Sequence, residues 1–207
     1  MHNMHFEEVK TILQQTDRAI QYALLSRLFQ RQIAIPDLPL LDHAVGQLSE
    51  KMKEEYSFFL KTAQRCLENK VQEQTLHVEY AHLFLLPEGV KPYESVYKTN
   101  EKMIKQQPWQ DVKKFYARQG FILEEGELHP EDHASVELSF MAALIDQGES
   151  LAVQKLFFED HLISWFPALL NDIINNPFAN FYKEVAINAQ HFMKKEKEWM
   201  KRETINT

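Results

Sequence analysis

Residues 127–141 read Glu127-Leu-His-Pro-Glu-Asp-His-Ala-Ser-Val-Glu-Leu-Ser-Phe-Met141. Pro130 suits the first position of a helix, where its missing N–H costs nothing. Glu131 and Asp132 then fall in the first turn, where the helix dipole favours negative charge. His133, Glu137, Phe140 and Leu144 follow at spacings of 4, 3 and 4 and share one face of that helix. A histidine and a glutamate therefore continue a stripe that is otherwise apolar. Buried charge must be paired and hydrogen-bonded. Two readings satisfy that demand. One is a mutual His133–Glu137 contact inside the core. The other is a set of partners from another helix, lining a groove that opens at the helix N-terminus.

Working outward, this helix is expected to end at Gly148, after an acidic loop over 121–129. A short helix is predicted over 109–119, with Trp109, Val112 and Tyr116 inward and Gly120 as its stop. Over 71–86, Leu76, Tyr80, Leu83 and Phe84 repeat at i, i+4, i+7 and i+8. Two prolines and a glycine break the pattern and predict an aromatic-rich loop over 87–97. Upstream, Leu13, Ile20, Leu24 and Leu28 mark a helix over 6–32, ended by Pro36 and Pro39. Helical patterning resumes over 40–68, with Tyr56, Phe59, Leu60 and Ala63 as the buried stripe. Downstream, Leu162, Trp165, Phe166, Leu169, Leu170 and Ile173 describe a deeply packed element. Pro167 places a break near Ile163–Ser164, and Asn175-Asn176-Pro177 a stop. A closing helix over 178–202 turns basic at its end. The expected architecture is all-α, a single-domain bundle of about ten helices over residues 1–207.

Composition agrees. A chain of 207 residues can bury about 70 % of its surface and needs no covalent staples. Only 5 glycines and 8 prolines leave little material for the turns of a many-stranded sheet. A net charge of −7 argues against generic nucleic-acid binding and is compatible with a cationic partner. The single cysteine, Cys66, excludes an internal disulfide framework and Cys-rich metal sites. The start has no signal pattern, and no apolar run approaches bilayer length. A cytoplasmic protein without stable membrane insertion is expected.

No familiar catalytic motif is present. Phosphate-binding glycine loops and GxSxG are missing, so no catalytic residue is expected. Glu79 and His82 supply one half of a di-iron Glu-x-x-His pair, and HExxH is absent. A helical, di-iron-like oxidoreductase built on Glu79, His82 and His133 is the alternative from the enzyme class. Otherwise no metal or cofactor is expected.

Three blocks carry a family resemblance. Residues 128–141 resemble the P-x-D-H-x-x-x-E-L-x-F-M signature of the TorD/DmsD/NarJ family of chaperones for molybdenum-containing redox enzymes. Residues 79–97 are similar to the family's Y-x-x-L-F, a proline loop and Y-E-S-V-Y. Residues 159–167 resemble its H-L-x-x-W-x-P, through His161, Trp165 and Pro167. Two positions depart from the pattern: Leu86, where many members have glycine, and His129, where an apolar residue or proline is common.

The resemblance implies a non-enzymatic chaperone, monomer or dimer, that holds the N-terminal signal or leader of an apo-molybdoenzyme. For exported clients that leader is a twin-arginine signal, released once the cofactor is inserted. An apolar leader helix would lie in an aromatic groove, for which Tyr80, Phe84, Tyr93 and Tyr97 are candidates. Its arginines would meet an acidic rim of Asp132 and Glu131, with Glu124, Glu125 and Glu127 beside it. Glu94, His133 and Glu137 complete the expected peptide-binding set. A scaffold that binds the mature reductase is the remaining reading.

Overall fold

The computed structural model describes residues 2–4, 17–48, 52–53, 56–57, 61, 70–124 and 126–205. Leu13, Phe59, Leu60, Ala63, Cys66 and Glu125, named above, lie outside the described residues. The helices run in the order α1 (Asp17–Gln30), α2 (Leu38–Gln47), α3 (Lys70–Tyr80), α4 (Glu94–Lys98) and α5 (Gln107–Arg118). They continue with α6 (Ala134–Asp146), α7 (Leu151–Phe157), α8 (Phe166–Ile174) and α9 (Phe181–Ile205). Two π-helical turns, Ala81–Leu85 and Phe158–Leu162, extend α3 and α7. A short parallel pair joins β1 (His2–Met4) to β2 (Phe121–Leu123), with His2 opposite Phe121.

The bundle is organised around α1 and α6. Every residue of α1 from Ala19 to Phe29 is buried, which explains why its sequence lacks a polar face. The Ser26 hydroxyl donates to the Ser135 carbonyl at 2.7 Å and pins the two helices together. Around α6, Phe140 packs against Tyr116, Phe157 and Phe121 with ring centroids 4.2, 4.7 and 5.0 Å apart. On the other side, Phe29 meets Phe166 at 5.5 Å and Phe84 at 6.0 Å.

Polar locks tie the outer helices on. Arg18 donates from Nε to Glu196 on α9 at 3.0 Å, and the Tyr22 hydroxyl adds a bond to the same carboxylate at 3.2 Å. Arg27 and Arg31 both pair with Asp37, closing the turn after α1. The Glu79 carboxylate accepts the backbone N–H groups of Asn180, Phe181 and Tyr182 at 2.9, 3.1 and 2.7 Å. That caps α9, whose first N–H groups have no partner inside the helix. No helix of the described residues is long and apolar enough to cross a membrane.

Three local expectations are corrected. First, α6 begins at Ala134, not at Pro130. His133 is extended, with φ −81° and ψ 142°, because it forms an antiparallel bridge with Tyr93. Residues 130–133 therefore cannot join the helix, and His133 and Glu137 do not share its stripe. Second, the expected loop over 87–97 gives way to α4 at Glu94. Third, residues 121–123, expected in a loop, form a strand.

Gly89 has a strict requirement. A Cβ there would sit 2.5 Å from the Leu83 carbonyl oxygen and 2.7 Å from that of His82. Both atoms are backbone of the first π-turn, so neither can swing away. Gly89→Ala is expected to lower stability by about 1–3 kcal/mol, the usual cost of forced overpacking. Thermal unfolding checks this; an unchanged midpoint would mean that the loop does not rest on the turn.

Candidate functional site

Three separated segments, around 92–97, 132–137 and 161–165, meet at one junction. The Glu94 N–H donates to the Asp132 carbonyl at 2.8 Å, and the Ala134 N–H to the Pro92 carbonyl at 2.8 Å. Asp132 Oδ2 accepts the Ser95 N–H at 3.2 Å, which caps the start of α4. From the third segment, His161 Nδ1 lies 3.0 Å from Glu94 Oε2, and Trp165 donates from Nε1 to Glu137 Oε2 at 2.9 Å. Lys98 donates to Glu94 Oε1 at 2.9 Å. Each motif block thus contributes a polar group to a partner on another block.

The junction is buried. Glu94, Asp132 and Glu137 are fully buried, and His133 nearly so. Asp132 Oδ1 and Glu137 Oε1 have no hydrogen-bond partner among the described residues. Burial raises the Asp132 carboxyl above its ordinary range, against the pull of the Ser95 hydrogen bonds. Burial, followed by the neighbouring Glu94 charge, raises Glu137 well above the usual carboxylate range. A second carboxylate beside Glu94 disfavours the charged form.

His133 is held in one tautomer. Its Nδ1 accepts the Ser135 N–H at 3.1 Å and lies 2.7 Å from the Ser135 hydroxyl. It is therefore the N-cap of α6, and the ring must be unprotonated at Nδ1. His129 stacks on it at 3.6 Å, and Tyr93 meets its other side edge-on at 5.0 Å. Burial, then the His129 neighbour, holds His133 well below the usual histidine range.

The expected groove needs redrawing. Tyr80 and Phe84 are core residues, 4.9 Å apart and packed on Tyr182 at 5.7 and 5.2 Å. Burial pushes the Tyr80 phenol up to about 12. Their stripe was apolar because it faces α9, not a ligand. Asp132 is not a rim carboxylate, since the 92–95 segment covers it. Glu131 is half-buried and already engaged: Trp109 donates to it at 2.6 Å and Lys113 lies 3.4 Å away. What does face outward is a ledge of two half-buried tyrosines, Tyr93 and Tyr97. Tyr97 rests on Trp165 at 5.7 Å and donates to the exposed Asp172 at 2.8 Å. Glu124 and Glu127 are half-buried on the adjoining loop.

Asp172 and Ser95 escaped the sequence reading. Asp172 lies on α8, outside every motif, and only the packing of α4 on α8 brings it to Tyr97. Pro167 sits in the first turn of α8, two residues after Trp165, and suits the start of that helix. The metal alternative also fails on geometry. Glu79 is committed to capping α9, and His82 stacks on Phe178 at 4.3 Å. Among the described residues, no group of three or more His, Cys, Asp or Glu side chains could hold a metal ion.

Fold and site together define an all-α protein with a buried polar junction beneath an aromatic ledge. The family model for the nitrate reductase delta subunit matches residues 42–171, and the chain belongs to that family. It is 27 % identical to the chaperone protein TorD of Salmonella bongori, over 69 % of this chain and 66 % of that protein. To the TorD of Vibrio cholerae it is 24 % identical, over 87 % of this chain and 90 % of the relative. A putative redox enzyme maturation protein from Archaeoglobus fulgidus shares the fold, with a TM-score of 0.54 at 19 % identity, covering 88 % of this chain and 94 % of its own.

Proposed function

We propose that this chain is a cytoplasmic, non-enzymatic maturation chaperone. It holds the N-terminal leader of an apo-molybdoenzyme until the cofactor is in place, then releases it for export. The observation that supports this reading is the convergence of the three motif blocks on one junction under the Tyr93–Tyr97 ledge. In this reading the residues divide their work by depth. Tyr93 and Tyr97 give the leader's apolar helix an aromatic seat, and the exposed Asp172 offers a carboxylate at the lip. Glu94, Asp132, His133 and Glu137 lie below and position that surface.

Asp132 has a second part in the proposal. Its Oδ1 has no partner among the described residues and burial disfavours its charge, so ionised Asp132 is an unfavourable group in this structure. A leader arginine reaching it after local opening of the neighbouring loop would supply the missing donors and offset that cost. Affinity and stability should therefore respond in opposite directions. Asp132→Asn keeps an acceptor for the Ser95 N–H and removes the charge. It is expected to weaken a twin-arginine leader peptide by about 1–3 kcal/mol in calorimetry. The thermal midpoint is expected to hold or rise. Equal affinity of the two proteins would remove Asp132 from recognition. Binding to the reductase that survives deletion of its leader would identify a scaffold for the mature enzyme.

A further inference from the structure

The loop over 99–106, between α4 and α5, presents a different surface. Among the described residues, Lys102 and Lys105 are the only ones besides glycine with positive φ, at 54° and 57°. Side chains rarely adopt that conformation, since Cβ crowds the backbone. Between the two lysines stand Met103 and Ile104, 60 % and 47 % exposed. The strained backbone thus holds two adjacent apolar side chains out in water, against the usual drive to bury them. The loop is anchored at its end, where the Gln106 N–H donates to the Ser95 hydroxyl at 3.1 Å.

The setting is cationic in an otherwise acidic chain. Residues 98–114 carry Lys98, Lys102, Lys105, Lys113 and Lys114 against Glu101 and Asp111, a net of +3 in a protein of net −7. Aromatic rings underlie the lysines. The Lys102 ammonium lies 5.9 Å from the Tyr97 ring, and those of Lys105 and Lys113 lie 5.8 and 4.4 Å from the Trp109 ring. An apolar tip, then a ring of lysines, then Tyr and Trp is the order of groups suited to the edge of a bilayer.

We propose that the Met103–Ile104 tip and its surrounding lysines form a reversible docking site for an anionic phospholipid surface. A convex tip suits a deformable bilayer better than a rigid protein, which would need a matching pit. Charge supplies the direction: the lysine face is drawn to anionic headgroups, and the acidic remainder of the chain is repelled from them. The docking site shares Tyr97 with the leader seat but not Asp132, so Asp132→Asn separates the two roles and is expected to bind vesicles as the wild type does.

The test is co-sedimentation of the full chain with vesicles of phosphatidylcholine alone or with about 30 mol % phosphatidylglycerol. The wild type is expected to bind the anionic vesicles at least about tenfold better, and to release at about 0.5 M salt. Lys102→Gln with Lys105→Gln should weaken binding about tenfold. Met103→Ser with Ile104→Ser should weaken binding at least about tenfold, because the inserted tip loses its apolar surface. Unchanged thermal midpoints establish that these surface variants fold. Equal binding to both vesicle types, or indifference to both double substitutions, overturns the proposal. So does competition by free glycerol phosphate, which would assign the loop to a soluble anion. Vesicle binding that is absent, with the same variants losing an acidic protein partner, would assign it to a protein interface instead.

Discussion

Trp165→Ala is expected to lower stability by about 3–5 kcal/mol, the range for deleting a buried aromatic side chain. The Trp165 ring is 1 % exposed, and lies against Tyr97 at 5.7 Å and Phe166 at 5.9 Å. A second loss adds to the cavity. Trp165 Nε1 is the donor to Glu137 Oε2, and Glu137 Oε1 has no partner among the described residues, so removing the indole strips the carboxyl of that donor. Trp165→Phe separates the two effects. It keeps most of the apolar volume, loses the N–H, and is expected to cost about 1–3 kcal/mol. Replacing Glu137 by leucine in that background should recover part of the loss, because neither polar group then remains unmatched. Urea unfolding of the wild type, Trp165→Phe, Glu137→Leu and the double variant measures the coupling. A Trp165→Phe variant as stable as the wild type would show that the bond between the second and third motif blocks carries no stability.

Acidification is expected to unfasten the same junction from the histidine side. His133 is a base whose folded-state pKa lies below its unfolded value, near 6.5, through burial and then His129. Its contribution to stability is therefore complete above about pH 6.5 and is lost as pH falls through the folded value. Each such group contributes a slope of up to about 1.4 kcal/mol per pH unit. Geometry gives the reason. A proton on Nδ1 would destroy the cap on Ser135 and set a cation at a helix N-terminus, facing His129 at 3.6 Å. His129 has the same sign, since burial lowers it more than its bond to the Gln30 carbonyl raises it.

Asp132 and Glu137 act oppositely. Their raised values give stability that is complete at low pH and lost as pH rises through the folded values. The histidine effect is therefore read from a difference. His133→Asn keeps an N-capping acceptor and cannot titrate, so its stability between pH 7 and 5 (about the span of the unfolded histidine) should fall less steeply than that of the wild type. Parallel curves for the two proteins would show that His133 is not the acid-sensitive group.

Much of the fold was legible because helical periodicity is a local property. The stripe of Leu76, Tyr80, Leu83 and Phe84 is buried throughout. Gly120 and Gly148 take the positive φ values, 78° and 69°, expected where helices stop. The break before Pro167 is present, in the form of a π-turn and a bend ahead of α8. That turn had no signature in a 3.6-residue pattern. It includes His161, whose ring reaches Glu94. The start of α6 was misread for a related reason. Pro130 with two acids is a fair local start signal, but the bridge between Tyr93 and His133 imposes an extended backbone that local preference cannot override.

By itself, the order of residues determined which segments are helical, which faces are apolar, and which three blocks carry the family's pattern. It did so because side-chain periodicity and turn chemistry act over a few neighbours. Only the tertiary structure decided that Tyr80 and Phe84 face α9, that Asp132 is roofed by the 92–95 segment, and that Glu137 stands beside Glu94. Burial and charge state depend on what a distant stretch of chain brings alongside, and no spacing within one helix records that.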